Sequence, residues 1–284
     1  MRRRSWIRRK ATDAAHFLSD EEKHCIDIGL NKHPAKGAKN EAAILNNNGV
    51  RELNQLNFTE AIKCFEEALT VDPDYQYAKA NLAITYNNYA LKLPPAKALK
   101  YFYKAICITP LNKTTHDNMA QASEAGGSLS EVQTFIQEQT HRSGEPTAQR
   151  HIEQGLAWEL RPDWVNAKQE YEQALKLEPH NSTAKELLGT LDERKNAHPY
   201  FKLLGEADKL TDARKYDEAI VKLMAAQKLQ PSRVGAWNDM GKVLLKKGDV
   251  TRATQAYQKT LALDSHNTIA LQGLQTCKQK ISPK

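Results

Sequence analysis

The 284-residue sequence predicts an all-α fold, a superhelical solenoid of stacked helix–turn–helix units. The first observation behind this prediction is the segment 58–73, FTEAIKCFEEALTVDP, in which Ala61, Phe65 and Ala68 share one face of a helix that ends at Asp-Pro. The second is that the same arrangement returns in segments 96–110, 165–179, 217–231 and 251–265. The third is that another helical stretch with one small residue at a fixed place precedes each of these segments.

Small and large residues alternate at fixed places when each unit is numbered from its first helical residue. Two helices can approach closely only where a side chain is nearly absent, so a small residue in the first helix predicts a close contact with the second. The eighth place holds Gly49, Ala83, Ala120, Gly155, Ala207 and Gly241. The twenty-fourth place holds the large residues Phe65, Phe102, Tyr171, Leu223 and Tyr257.

A period of about 34 residues, small–large alternation and a closing proline together resemble the tetratricopeptide repeat (TPR) family. The resemblance runs from about residue 42 to the end of the chain, and five units match it independently. It implies an array whose stability comes from contacts between neighbouring units. It also implies a concave groove lined by places 2, 5, 6, 9, 12 and 13 of each first helix.

We expect four parts along the chain. A basic tail with a short helix occupies 1–40, and a first sub-array of two regular repeats and one degenerate repeat occupies 41–140. A Gly-Pro stretch at 141–147 is the expected hinge. A second sub-array at 148–284 holds three repeats, a lone helix near 182–197 and a C-terminal capping helix. The lone helix is expected because Pro179 and Pro231 are one full unit and about half another apart.

The net charge of +7 belongs almost wholly to the first ten residues, which contain no acid. Three interpretations of this electrostatic tail stay open: a solvated tail, a contact with nucleic acid or an anionic membrane surface, and an organelle-targeting presequence. Its basic residues are Arg2, Arg3, Arg4, Arg8, Arg9 and Lys10.

The four cysteines are far apart and form no Cys-x-x-Cys pair. This favours free thiols in a reducing compartment, and we therefore expect a cytoplasmic protein. His16, His24 and Cys25 match no zinc spacing, so we expect no metal and no cofactor. No apolar run approaches the length that crosses a membrane.

No catalytic template fits the sequence, and we therefore expect no enzyme activity. The segment 235–242, GAWNDMGK, has five residues between its glycines where a phosphate-binding loop needs four, and Val243 stands where that loop needs Ser or Thr. The spacing of the Glu and Lys residues is typical of solvent-exposed helix faces.

The resemblance places an asparagine ladder in the groove, with Asn47, Asn81 and Asn118 at successive sixth places. A carboxamide carries both a donor and an acceptor, so such a ladder could hold the main chain of an extended peptide. Support of a neighbouring loop is the alternative interpretation. The candidate peptide-binding residues are Asn46, Asn47, Asn54, Tyr77, Asn81, Asn88, Asn118 and Gln121.

The carboxylate clamp of heat-shock cochaperones is disfavoured, since only Asn81 matches its residues. The groove places of the C-terminal half form an apolar stripe with acidic flanks. This stripe would suit an amphipathic helix with basic residues, or would pack against the lone helix. Its residues are Ile152, Glu153, Leu156, Glu159, Leu160, Phe201, Leu204, Asp208, Asn238, Asp239, Lys242 and Lys246.

The sequence therefore predicts a non-catalytic scaffold or adaptor that binds a peptide or helix of a partner protein in its concave groove. Self-association is a further expectation. An RNA- or membrane-associated adaptor that uses the basic tail is the alternative.

Overall fold

The structure, a computed structural model, describes residues 38–126, 130–141 and 143–281, and every regular element within them is a helix. The basic tail therefore lies outside the described residues. No helix of the described part is long and apolar enough to span a bilayer. The helices are α1 Ala38–Asn54, α2 Phe58–Val71, α3 Gln76–Ala90, α4 Pro95–Ile108, α5 Lys113–Gly126, α6 Ser130–Thr140, α7 Ala148–Glu159, α8 Trp164–Leu177, α9 Ser182–Gly189, α10 Leu191–Asp212, α11 Tyr216–Leu229, α12 Val234–Lys247, α13 Val250–Leu263 and α14 Thr268–Ile281.

The chain forms two compact units that meet between His116 and Asp117, within α5. This division differs from the expected one, because segment 141–147 lies inside the second unit. Within that segment Gly144 has a φ of +127°, which favours glycine, and the Arg150 guanidinium donates to the carbonyl oxygens of Ser143 and Glu145. These contacts tie the segment to the first turns of α7.

In the first unit α1 packs on α2, and α3 packs on α4. A Cβ atom added to Gly49 would lie 2.6 Å from Cε1 of Phe65, so the missing side chain of α1 makes room for the ring of α2. Ala61 and Ala68 on either side of Phe65 have no exposed surface. In the second pair, Phe102 is buried in the same way.

The second unit repeats this packing in its pairs α7/α8 and α12/α13. An added Cβ would lie 2.4 Å from Cε1 of Tyr171 at Gly155, and 2.5 Å from Cε1 of Tyr257 at Gly241. The predicted all-α fold of helix–turn–helix units with small–large contacts is thereby confirmed.

Short polar residues begin several of the helices. The side chains of Thr147, Asp163, Asn181 and Asp249 each accept a hydrogen bond from the backbone N–H three residues on, which satisfies one free donor of the first turn. At the other end of α12, Gly248 adopts φ +93° and ends the helix, as a C-terminal glycine commonly does.

The stretch expected as a lone helix near 182–197 is divided between two helices. Helix α9 ends at Gly189, and α10 begins at Leu191 and continues without a break through Pro199 to Asp212. A proline removes one backbone donor from the helix, yet the buried side chains of Leu191, Ala197 and Tyr200 hold α10 on both sides of it. The extra half-unit therefore consists of the short helix α9 and the N-terminal turns of α10.

A buried polar network fixes the start of α10 to α7. The Arg194 guanidinium donates from Nε to Oε2 of Glu159 and from Nη2 to Oε1, both over 2.8 Å, and also reaches the carbonyl oxygen of Leu187. The Tyr171 hydroxyl donates to Oε1 of Glu159 over 2.6 Å. Burial, together with the negative charge of Glu159, raises the pKa of Tyr171 well above its usual value.

The glycine–aromatic contact predicts that a side chain larger than that of glycine at position 155 lowers stability. Gly155→Ala should lower the free energy of unfolding by about 1–3 kcal/mol, because the new methyl group overlaps the Tyr171 ring. Gly189→Ala is the matched control, since nothing lies within 4 Å of its Cβ position, and we expect it to be neutral or stabilising. Urea unfolding followed by circular dichroism checks both variants, and equal stabilities would contradict the contact.

The Glu159–Arg194 pair predicts a large penalty when only one partner is removed. Arg194→Met should destabilise the second unit by about 3–5 kcal/mol, because it leaves the Glu159 carboxylate buried without its cation. Adding Glu159→Gln should recover much of this loss in the same urea experiment. A single variant as stable as the parent would show that the network does not hold α10.

Candidate functional site

The asparagines of the first unit do not form an even exposed ladder. Asn46 and Asn81 are buried, and Nδ2 of Asn81 donates to Oδ1 of Asn46 over 2.9 Å. Asn47 and Tyr77 are exposed, whereas Asn54 and Asn88 are half-buried. Asn81 thus pairs with the fifth place of the preceding unit, and the exposed Asn47 at the sixth place is not its partner.

The buried asparagine pair keeps one unused donor and one unused acceptor. Neither Nδ2 of Asn46 nor Oδ1 of Asn81 has a hydrogen-bond partner within the described part of the chain. A buried polar group without a partner costs free energy.

In the second unit, groove places of three different helices meet. Nε2 of Gln121 on α5 donates to Oδ2 of Asp208 on α10 over 2.8 Å and to Oδ2 of Asp239 on α12 over 3.3 Å. Lys242 donates from Nζ to the other carboxylate oxygen of Asp239 over 2.8 Å. We call Asp208 and Asp239 the acid pair. A neutral amide bridges the acid pair, and only Asp239 has a cation at hydrogen-bond distance in these contacts.

The acid pair is electrostatically costly. Burial raises the pKa of Asp208 to about 7, and the nearby charge of Asp239 adds to the increase. The Asp239 carboxylate in turn raises the pKa of Lys242, whose side chain remains half exposed. Near neutral pH the folded second unit therefore holds a proton that the unfolded chain would release.

Helix α5 lies directly against the groove face of α10. A Cβ atom added to Gly205 would be 2.6 Å from Cβ of Glu124 and 2.7 Å from the backbone nitrogen of Ala125. Only a residue without a side chain allows two helices to come this close. Gly205 and Asp208 occupy the sixth and ninth places of their repeat, so the contact falls on the surface that the family uses as its groove.

Two ion pairs flank this crossing. Asp117 of α5 pairs with Nη1 of Arg233 over 2.7 Å, and the Arg233 guanidinium lies over the ring of Phe201, 5.0 Å from its centroid. Glu124 pairs with Nε2 of His198 over 3.0 Å, and the hydrogen bond to His198 lowers the pKa of Glu124. The groove places of α5 thus face those of α10 and α12, and no hollow remains between them at the Gly205 crossing.

A polar cavity of about 400 Å³ lies beside α5 in the second unit. Its basic side chains come from the loop after α7 and from α10. The lining residues are Ser123, Glu124, Gln133, Ile136, Leu160, Arg161, Pro162 and Lys209. Among the described residues, no group of three or more His, Cys, Asp or Glu side chains could hold a metal ion.

The repeat numbering assigns Gln121, Asp208 and Asp239 to groove places, but it does not predict that they contact one another. It missed Gly205, although a glycine at the sixth place, where the other units carry Asn, Glu or Asp, was a signal of close approach. Asn118 is half-buried in the second unit. The three ladder asparagines are thus found in two units and in different environments.

The fold and this face define an all-α helical-repeat protein. Two family models described as "Tetratricopeptide repeat" match the chain, over residues 54–75 and 204–268. The longer match includes the α12/α13 pair with its contact between Gly241 and Tyr257, and the shorter one covers α2 with Phe65. Both matches support a tetratricopeptide repeat protein, which confirms the resemblance over these two segments. The tetratricopeptide fold indicates, in general, a protein–protein interaction scaffold.

Solved structures also align with the chain at low identity. Yeast Tom70 is 17% identical over 92% of this chain and 69% of its own, with a TM-score of 0.29. The Cut9–Hcn1 hetero-tetramer of the APC/C is 16% identical over 91% of this chain, which spans only 46% of that chain, with a TM-score of 0.28. YrrB, titled a TPR protein with an unusual peptide-binding site, is 13% identical over 85% of this chain and all of its own, with a TM-score of 0.26. No curated protein sequence matches the chain.

The raised pKa of Asp208 predicts that stability depends on pH. The folded pKa of about 7 lies above the usual carboxyl value, so this group favours folding at low pH and opposes it increasingly as the pH rises from about 4 to 7. Asp208→Asn should therefore raise the free energy of unfolding at pH 8 by about 1–3 kcal/mol and change little near pH 4. Asp217→Asn is the control, because Asp217 is largely exposed. A pH-independent effect of Asp208→Asn on urea unfolding would contradict this account.

Proposed function

We propose that this protein is a non-catalytic scaffold that binds a peptide or helix of a partner protein on the groove faces of its first helices. The observation that carries the proposal is that α5 is seated against the groove face of α10 and α12. A surface that packs against a helix of its own chain has the shape and the polar groups that are needed to bind another helix. The exposed side chains of Asn47 and Tyr77 offer a second face, in the first unit.

The α10 face combines the parts that helix recognition needs. The backbone at Gly205 lets a helix approach closely, Leu204 beside it is buried and apolar, and Asp208 supplies a fixed acceptor. Close approach increases the dispersion contacts between two helices, while the polar groups set orientation and register.

Binding at the α10 face requires α5 to move away from it. The described contacts of α5 with this face are the close approach at Gly205, the packing of Ala120 on the apolar core, and polar contacts of partly exposed groups such as Asp117–Arg233 and Glu124–His198. Only the polar contacts depend on charge. Such pairs contribute little each, and they exchange readily for equivalent contacts with another helix. The groove thus acts as a covered site that a partner opens.

A steric block at Gly205 tests the proposal. The full chain is used to capture proteins from native extracts, with Gly205→Leu as the blocking variant and Gly189→Leu as the matched control. The leucine at 205 stands where a docking helix must approach, so we expect partners of this face to be recovered at least about tenfold less. Partners of the first unit should respond instead to Tyr77→Ala with Asn47→Ala.

Deletion of residues 2–10 distinguishes the proposal from an adaptor that works through its basic tail. Groove binding predicts an unchanged partner set after the deletion. If recovery is insensitive to both groove variants but falls after the deletion and at high salt, the tail is the contact and the groove proposal is wrong.

A further inference from the structure

We propose that the acid pair on α10 and α12 is a receptor for an arginine side chain of a partner helix, and that α5 is an internal stand-in for that helix. This inference rests on the proposed function and names the chemistry of the partner. The acid pair, the interface with α5 and one further buried side chain carry it.

The first step is an excess of acceptors. Asp208 and Asp239 bring four carboxylate oxygens to one place, and their described donors are one carboxamide nitrogen and one ammonium group. Asn238, at the fifth place beside Asp239, is 4% exposed, and its Oδ1 has no hydrogen-bond partner among the residues that the structure describes. A buried acceptor without a donor is costly, so the site is better satisfied by a ligand that carries several donors.

The second step is charge. Two carboxylates and one lysine leave the cluster with net negative charge when all are ionised, and Gln121 adds none. A guanidinium has five N–H donors in a planar fork and stays protonated under all ordinary conditions. It would therefore supply both the missing donors and the missing positive charge.

The third step is position. Gln121 extends from a helix whose backbone is already fixed by the contact between Gly205 and Ala125. A partner helix seated in the same way would bring its own residue to the acid pair at the place of Gln121. The other residues of the partner helix can be inferred from α5. Counted from the residue at the place of Gln121, an acidic residue four positions earlier would pair with Arg233, and another three positions later would pair with His198. A small residue would lie at the crossing with Gly205.

The partner motif is thus Asp/Glu-x-x-x-Arg-x-x-Glu-Ala on a helix. In α5 the same places hold Asp117, Gln121, Glu124 and Ala125. The internal helix matches this motif at every place except the arginine. This difference explains how α5 can cover the face and still be displaced by a better ligand.

The test in cis uses the full chain. Gln121→Arg should raise the Tm at pH 8 by about 2–4 °C, because the arginine is delivered to the acid pair by α5 itself. Gln121→Met should lower the Tm, since it removes the donor at nearly the same size. In the Asp208→Asn/Asp239→Asn background the gain from arginine should vanish. A gain that persists in that background, or a loss of stability with arginine in the parent, overturns the proposal.

The test in trans measures Kd by fluorescence anisotropy for labelled peptides that copy residues 113–126. One peptide keeps the glutamine, one carries arginine and one carries glutamate at the place of Gln121. The acceptor is the full chain with Asp117→Ala and Glu124→Ala, which weaken the hold of α5; faster hydrogen exchange of residues 117–126 verifies its release. We expect the arginine peptide to bind at least about tenfold more tightly than the glutamine peptide, and the glutamate peptide to bind more weakly than either.

The outcomes separate the two proposals. If the peptides bind this chain with equal affinity, the face accepts helices but the arginine inference is wrong. If α5 is released and no peptide binds, the helix-docking function of this face is wrong as well. If the arginine preference is present and is lost with Asp208→Asn/Asp239→Asn, both proposals are supported.

Discussion

The close approach of two helices at a residue without a side chain is the constraint on which this structure depends. Gly49, Gly155 and Gly241 each leave space for an aromatic ring of the following helix, and a side chain added at any of them would overlap that ring. Gly205 uses the same device on the opposite side of its helix, where the neighbour is the backbone of α5. One physical rule thus builds the repeats and also closes the groove face of the second unit.

Closing the groove face has an electrostatic consequence. The carboxylates of Asp208 and Asp239 are brought together by the packing of α10 and α12, and α5 reduces their access to water. Water would have solvated both charges, and Gln121 replaces only part of that solvation. The same contacts that seat α5 therefore store an unfavourable interaction, which a cationic side chain would relieve. The proposed binding at this face would therefore be linked through Asp208 to stability near neutral pH.

The repeats could be predicted from the sequence because their determinants are local. Small residues at the eighth place and large ones at the twenty-fourth recur along the chain, and the helices follow that pattern. The contact of Gln121 with Asp208 and Asp239 could not be predicted in this way, since it joins residues 87 and 118 positions apart that no period relates. The same limit applies to Asn81, which is buried against Asn46, whereas its repeat place predicts exposure. The spacing of Pro179 and Pro231 indicates extra residues but not their division between α9 and α10, because tertiary packing keeps α10 continuous through Pro199.

Hydrogen exchange at the amides of residues 117–126 in the full chain tests the central claim most directly, because these amides report whether α5 is held on the face of α10 and α12. The account predicts that they exchange as slowly as those of α10 itself, and that Gly205→Leu increases their exchange rate at least about tenfold while α13 is unaffected. Exchange as fast as in a free peptide, or rates that do not respond to a leucine at 205, would contradict it.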